Sequence, residues 1–291
     1  MRGGTVLLIG GNGQLAYDLR QTWEAGRSGE RLVCLTHDDL EVGDMEAVEQ
    51  ALVRFRPSLV INTSAYHRVD EAERQPERAF LVNAVGPRNL AIACREVDAV
   101  LVHFSTDYVF SGRSTRPYVE DDRPDALNVY GASKAAGEML VRHGWRRHFI
   151  IRTSGLYGVA GSSGKGGNFV ETMLRLAMSG QPIRVVRDQV LTPTHTASLA
   201  AQVVELVATD AYGTYHATCR GECSWYEFAV EIFRQTNLTP RLDPQTTAES
   251  GARARRPSYS VLANQALQEL GMDSMPPWQE ALSAYLAARS L

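Results

Sequence analysis

Apolar positions in this chain come in two rhythms that take turns. Residues 5–9 (TVLLI), 31–36 (RLVCLT), 58–62 (SLVIN) and 99–104 (AVLVHF) are short, nearly continuous apolar runs. Runs of that length mark strands buried on both faces. Between them, Gln14 to about Glu24, Met45 to Phe55 and Glu77 to Val97 space their apolar residues at helical intervals. Pro57 ends the second stretch, and the third is expected to break near Gly86 and Pro87. Strand and helix alternating in this way predict an α/β fold with a parallel sheet and helices on both faces.

The second half continues the alternation. A helix is expected from Asn168 to about Ser179, and residues 183–186 should form a strand returning to the main sheet. A helix from about Thr196 to Ala208 and a strand over 214–217 follow. Residues 225–236 place Trp225, Phe228, Ile232 and Phe233 on roughly one face, the spacing of core packing. A helix from Pro277 and Trp278 to about Leu286 closes the chain. Residues 158–167 are rich in glycine and serine, and read either as a loop that orders over a ligand or as a plain surface connection.

Two stretches carry chemistry. The first strand runs into Gly10, Gly13 and Ala16 in a G-x-x-G-x-x-A turn that opens a helix. Strand, glycine turn and helix N-terminus form the phosphate-binding start of a dinucleotide fold. The fold class is therefore a Rossmann-type doubly wound parallel sheet with a smaller C-terminal substrate lobe. Further on, Tyr130 and Lys134 stand four apart, on one face of a helix. A nearby ammonium favours the phenolate, so such a pair is a candidate general acid with its own tuner. The strand ending at Ser105 and Thr106 brings hydroxyls to the same side, where Thr106 would bond the carbonyl that Tyr130 protonates. Strand two ends at His37, Asp38, Asp39 and Glu41. An acid there suits ribose hydroxyls and His37 suits a 2′-phosphate, so NADPH and NADH both stay open.

Composition narrows the classes. The formal net charge of −3 over 291 residues offers no electrostatic reason for a nucleic-acid or anionic-membrane partner. No apolar run approaches the roughly 20 residues of a membrane span, and the N-terminus enters a strand without a signal peptide, so the expectation is cytoplasmic. Cys34, Cys94, Cys219 and Cys223 match no metal-site spacing and read as thiols in a reducing compartment. His195 and His216 read as structural.

Taken together, the glycine turn, Tyr130 and Lys134, and the blocks at 40–44 (LEVGD), 61–66 (INTSAY), 69–73 (VDEAE), 105–110 (STDYVF) and 128–131 (NVYG) resemble the extended short-chain dehydrogenase/reductases. Within them they resemble the dTDP-4-dehydrorhamnose reductase family. Arg152, Leu156, Tyr157 and Gly158, the 168–175 block (NFVETMLR), Asp188 and Gln189, Pro193 and Thr194, Arg256 and Pro257, and Pro277 and Trp278 extend the resemblance over nearly the whole chain. It implies reduction of the C4 keto group of a dTDP-linked 4-keto-6-deoxysugar by NADPH or NADH. Thr106, Tyr130 and Lys134 would be catalytic, with Lys134 also on the nicotinamide ribose. Gly10, Gly13, Gln14 and Leu15 would line the pyrophosphate, and Glu41, Val42, Ala65 and Tyr66 the adenosine and ribose side. Thr106, Asp107, Tyr108, Gly155 and Asn168 would face the sugar. Lys165 and the arginines at 253, 255 and 256 are candidates for the substrate diphosphate, or a solvated turn.

Departures from the family pattern bear on the sugar. Gly155 stands where rhamnose-forming members often carry a tryptophan, and Leu191 stands where a glycine is usual. Ala16 replaces a glycine, Glu41 an aspartate and His67 a threonine. The chain is expected to divide into a nucleotide-binding part (1–155 and 183–212) and a substrate lobe (156–182 and 213–291). A monomer or homodimer is expected, and no metal: Asp18 falls near a position that holds a bridging metal in some members, but Ala197 occupies another. Two alternatives remain. One is a non-catalytic regulatory subunit of a methionine adenosyltransferase; the other is an epimerase or dehydratase, although Asp107 is followed by Tyr108 rather than the glutamate a dehydratase needs.

Overall fold

The computed structural model describes residues 4–26, 29–160 and 167–289. Strand β1 (Thr5–Ile9) leads through the glycine turn into helix α1 (Gln14–Gly26), and β2 (Arg31–Leu35) into α2 (Met45–Phe55). After β3 (Pro57–Asn62) come two short helices, α3 (Val69–Ala72) and α4 (Pro76–Phe80), then α5 (Gly86–Glu96). Next are β4 (Val100–Thr106), α6 (Val129–Gly144), β5 (His148–Thr153) and the short β6 (Leu156–Tyr157). The second half holds α7 (Phe169–Met178), β7 (Ile183–Val186), β8 (Val190–Leu191), β9 (Thr194–His195) and α8 (Thr196–Leu206). It ends with β10 (Gly213–His216), β11 (Cys223–Ser224), α9 (Trp225–Thr236), β12 (Leu242–Gln245), α10 (Gln265–Glu269) and α11 (Trp278–Arg289).

The main sheet has the order β10-β5-β4-β3-β1-β2, and all its pairings are parallel. Its strands are apolar throughout because both faces are covered. In β1, Val6 and Leu8 pack into one core while Leu7 and Ile9 pack into the other. In β5, Phe149 and Ile151 divide from Ile150 in the same way. Each fully buried side chain of this size stabilises the fold by roughly 1.5–3 kcal/mol. One face is covered by α1 and α8, which pack on each other, and the other by α2, α5 and α6. Asp18 of α1 accepts a bond from Thr196 of α8 at that contact.

Local chemistry sets the element ends. Asp44 caps α2 by accepting from the Glu46 and Ala47 N–H groups, and Arg56 ends it in a left-handed turn directly before Pro57. The expected break near Gly86 and Pro87 is instead a π turn over Leu81–Val85 that joins α4 to α5 without interruption. Pro87, which has no N–H to donate, falls where this wider turn passes into α5.

One expectation about strands is corrected. Residues 183–186 do form a strand, but β7 pairs with β12 in a separate two-stranded sheet rather than with the main one. The main sheet takes β10 instead, beside β5. A short apolar run specifies a strand but not its neighbour, which long-range packing chooses.

Candidate active site

The order of strands reverses between β1 and β3, and a cavity of about 770 Å³ opens there along the carboxyl ends of β1, β3, β4 and β5. A doubly wound sheet leaves its binding crevice at that switch point. The cavity runs from the glycine turn past the ends of β4 and β5 to α7 and α9. Gly10, Gly13, Gln14 and Leu15 line one end, with Glu41, Val42, Ala65 and Tyr66 beside them. Thr106, Asp107, Tyr108, Tyr130, Lys134, Gly155 and Asn168 line the remainder. Residues distant in sequence are thus brought to one wall.

Helix α6 presents Tyr130 and Lys134 because its first turn is held on several sides. Asn128 caps it, its Oδ1 accepting from Gly131 N–H at 2.8 Å while its Nδ2 donates to the Arg255 carbonyl at 2.8 Å. Glu73 accepts the Val129 N–H at 2.8 Å. A Cβ on Gly131 would lie 2.1 Å from the Tyr108 carbonyl oxygen, so only glycine lets this turn close on the β4 end. The π turn contributes Asn83, which accepts from Tyr66 N–H at 2.8 Å and donates to the Tyr66 carbonyl at 3.0 Å. Asn83 also donates to Ser133, whose hydroxyl returns to the Tyr130 carbonyl at 2.8 Å. One amide on a π turn thereby ties the β3 loop to the first turn of α6.

The Lys134 ammonium is buried and donates to the Phe104 carbonyl at 2.6 Å, with Nε2 of buried His103 at 3.5 Å. Burial pulls its pKa down to about 8, against the opposing charge of Glu138. Tyr130 packs edge-on against Tyr108 with ring centroids 5.9 Å apart. Here the expected tuning is corrected. Burial pushes the Tyr130 phenol up to about 12; the Thr106 hydroxyl opposes this and the Asp107 charge adds to it. Lys134 is turned to the Phe104 carbonyl rather than acting on the phenol.

Behind α6, Glu138 and Arg152 form a buried ion pair at 2.7 Å that joins the helix to β5. Arg152 also donates to the Glu120 carbonyl and to Nε2 of His216, whose Nδ1 bonds the Tyr118 and Ala263 carbonyls. His216 is held as a buried neutral ring.

Trp225 and Thr153 on this wall escaped the sequence reading, whereas Gln14 and Asn168 were expected there. Trp225 lines the cavity and packs on Phe169 with ring centroids 4.6 Å apart, so the residue read as core is also cavity surface. Gln14 Oε1 and Thr153 Oγ1 are buried, on the wall, and have no protein partner. Such orphaned acceptors and hydroxyls suit a polar ligand, and with the glycine turn they fit a dinucleotide. Asn168 spends its amide on capping α7 and on the Gly158 carbonyl and Tyr285 hydroxyl. Arg256 is engaged by Asp70 at 2.7 Å and does not stand free for a diphosphate, while Arg253 and Arg255 are exposed. Lys165 lies outside the described residues.

Comparison with known proteins agrees with this geometry. The family model described as the RmlD substrate binding domain matches residues 4–290. The spore coat polysaccharide biosynthesis protein SpsK of Bacillus subtilis is 41% identical, covering 98% of each chain. The dTDP-4-keto-6-deoxy-D-glucose reductase of Streptomyces niveus is 38% identical, covering 95% of this chain and 94% of its own. A crystal structure of dTDP-4-dehydrorhamnose reductase from Bacillus anthracis in complex with NADP superposes with a TM-score of 0.93 at 39% identity, covering 98% of this chain and 99% of that one.

Proposed function

Since the chain belongs to the RmlD substrate binding domain family, we propose that it is an NADPH-dependent oxidoreductase that reduces the C4 keto group of a dTDP-4-keto-6-deoxyhexose. The observation that carries this reading is the convergence of Thr106, Tyr130 and Lys134 on one cavity that begins at the glycine turn. Reduced nicotinamide supplies the hydride when bound. Gly10, Gly13, Gln14 and Leu15 would hold its pyrophosphate, and Glu41, Val42, Ala65 and Tyr66 the adenosine side. Lys134 would hold the nicotinamide ribose. Tyr130 would give its proton to the C4 oxygen, with Thr106 bonded to the same oxygen. Trp225 and Phe169, in the lobe proposed for residues 156–182 and 213–291, would shape the sugar end together with Gly155 and Leu191 of the other part. The intact trio supports turnover over a purely regulatory role.

The test is to incubate the purified protein with dTDP-4-keto-6-deoxyglucose, with and without a 3,5-epimerase, and to follow nicotinamide absorbance with NADPH and with NADH. Oxidation only with the epimerase present supports an L-sugar of the rhamnose type; oxidation without it supports a D-sugar. No oxidation of either cofactor under either condition overturns the reading.

A further inference from the structure

Thr106 has one proton to give, and it is already placed. Its Oγ1 donates to Oδ1 of Asp107 at 2.9 Å and accepts the Tyr108 N–H at 3.2 Å. A carboxylate only accepts, so while Asp107 is ionised the Thr106 proton is committed to it. In that arrangement Thr106 has nothing to offer a carbonyl oxygen. Asp107 itself is 3% exposed, and its Oδ2 accepts Ser154 Oγ at 2.9 Å and Ser260 Oγ at 2.5 Å. Three hydroxyls therefore stand where a buried carboxylate would ordinarily take a cation.

We propose that Asp107 is a positioning residue whose protonation state sets the direction of the Asp107–Thr106 hydrogen bond. Ionised, it keeps the Thr106 O–H to itself. Protonated, it donates to Thr106 Oγ1 and frees the Thr106 O–H for the keto oxygen of the sugar. This rests on the reductase reading. Atoms balance without Asp107 losing its proton: the C4 carbon gains the hydride, its oxygen gains the Tyr130 proton, and Thr106 donates throughout. The phenol then recovers a proton from solvent.

The surroundings permit such a switch. Burial raises the Asp107 carboxyl to about 6, and the bonds from Ser260, Ser154 and Thr106 oppose that rise. Tyr108 faces it from its own segment and Tyr130 from α6; Tyr108 in turn bonds Arg256, which is held by Asp70. From β5 and the turn after it come the uncharged Thr153 and Ser154, Arg152 being paired with Glu138.

Two readouts test the proposal. Turnover at saturating substrate should fall as pH rises past about 6. Ser260→Ala removes a donor from the carboxylate without touching Thr106, and should move that limb upward by about one pH unit. Asp107→Asn, whose amide can donate to Thr106 at every pH, should flatten the limb and keep more activity than Asp107→Ala. An infrared titration of the protein alone should show a carboxylic-acid band that is lost in Asp107→Asn and whose midpoint rises in Ser260→Ala. A limb unchanged in both variants, or no such band, overturns the proposal. Should no sugar be turned over, the reductase reading fails while the infrared titration still decides whether Asp107 exchanges its proton as stated.

Discussion

The Cδ1 atom of Leu191 stands 2.8 Å from where a Cβ on Gly155 would lie. The two positions at which the chain departs most from the family it resembles are therefore in contact. Gly155 has a φ of +56°, and the Cβ site is also 3.2 Å from Pro193 Cα. The cavity wall at this point is the Leu191 side chain, and residue 155 has no room to supply one.

Gly155→Trp is accordingly expected to destabilise the protein by two separable amounts. A left-handed backbone costs a non-glycine residue about 1–2 kcal/mol, and overpacking against Leu191 about 1–3 kcal/mol. Adding Leu191→Gly should relieve only the second. Urea unfolding of the single and double variants measures the difference. Equal destabilisation of both would remove the contact as the cause.

Tyr130→Phe is expected to lower turnover by roughly 10²–10⁴, the usual worth of a general acid. NADPH affinity, followed by nicotinamide fluorescence, should stay close to that of the parent. Turnover at the parental rate would leave the proton donor to be sought elsewhere.

Lys134 should make cofactor binding and stability respond oppositely to pH. Its folded pKa is depressed from 10.5 to about 8 by burial. Above about 8 the folded protein loses the cation proposed for the nicotinamide ribose, so NADPH affinity should decline there. The unfolded chain still binds that proton up to the ordinary lysine range, so this group's contribution to stability rises with pH over the same interval. Binding titrations and unfolding curves at matched pH values test the pair of trends, and affinity unchanged through this interval would refute the first.

Removing one partner of the buried Glu138–Arg152 pair should be costly. Burial alone would raise the Glu138 carboxyl, but the bonds from Arg152 outweigh it and the net shift is downward. A depressed folded pKa gives stability that is present above the unfolded carboxylate range and lost as pH falls through the folded value. Glu138→Ala is expected to cost about 3–5 kcal/mol at neutral pH by leaving the guanidinium unpaired. The gap from the parent should narrow in acid, and denaturant melts at neutral and acidic pH would show whether it does.

Much of this was legible before the fold was known, and what was missed shares a cause. Tyr130 and Lys134 could be read together because one helix spaces them, and the glycine turn because strand, turn and helix are contiguous. Asp107 was expected to face the sugar, but its hold on Thr106, Ser154 and Ser260 carries no such local signal. Its partners Ser154 and Ser260 lie 47 and 153 positions away, and only the folded chain gathers them. Trp225 was read as core because an apolar face looks the same whether it meets a neighbouring helix or the rim of a cavity. The place of residues 183–186 was missed because an apolar run is silent about which strand it will meet. Asn83 went unnoticed because a π turn has the composition of any helix.

The late arrival of β10 also limits how this protein can be cut and recombined. The edge of β5 that β10 covers carries Phe149, Ile150 and Ile151 and is closed by residues some sixty positions further on. A fragment ending at residue 155 would hold the glycine turn, Thr106, Tyr130 and Lys134, yet expose an unpaired apolar edge of the kind that drives strand-to-strand aggregation. The nucleotide half is therefore not a portable cassette. A chimera that exchanges the sugar-facing segments must keep residues 213–216 with the parent that supplies β5, splicing on both sides of that strand.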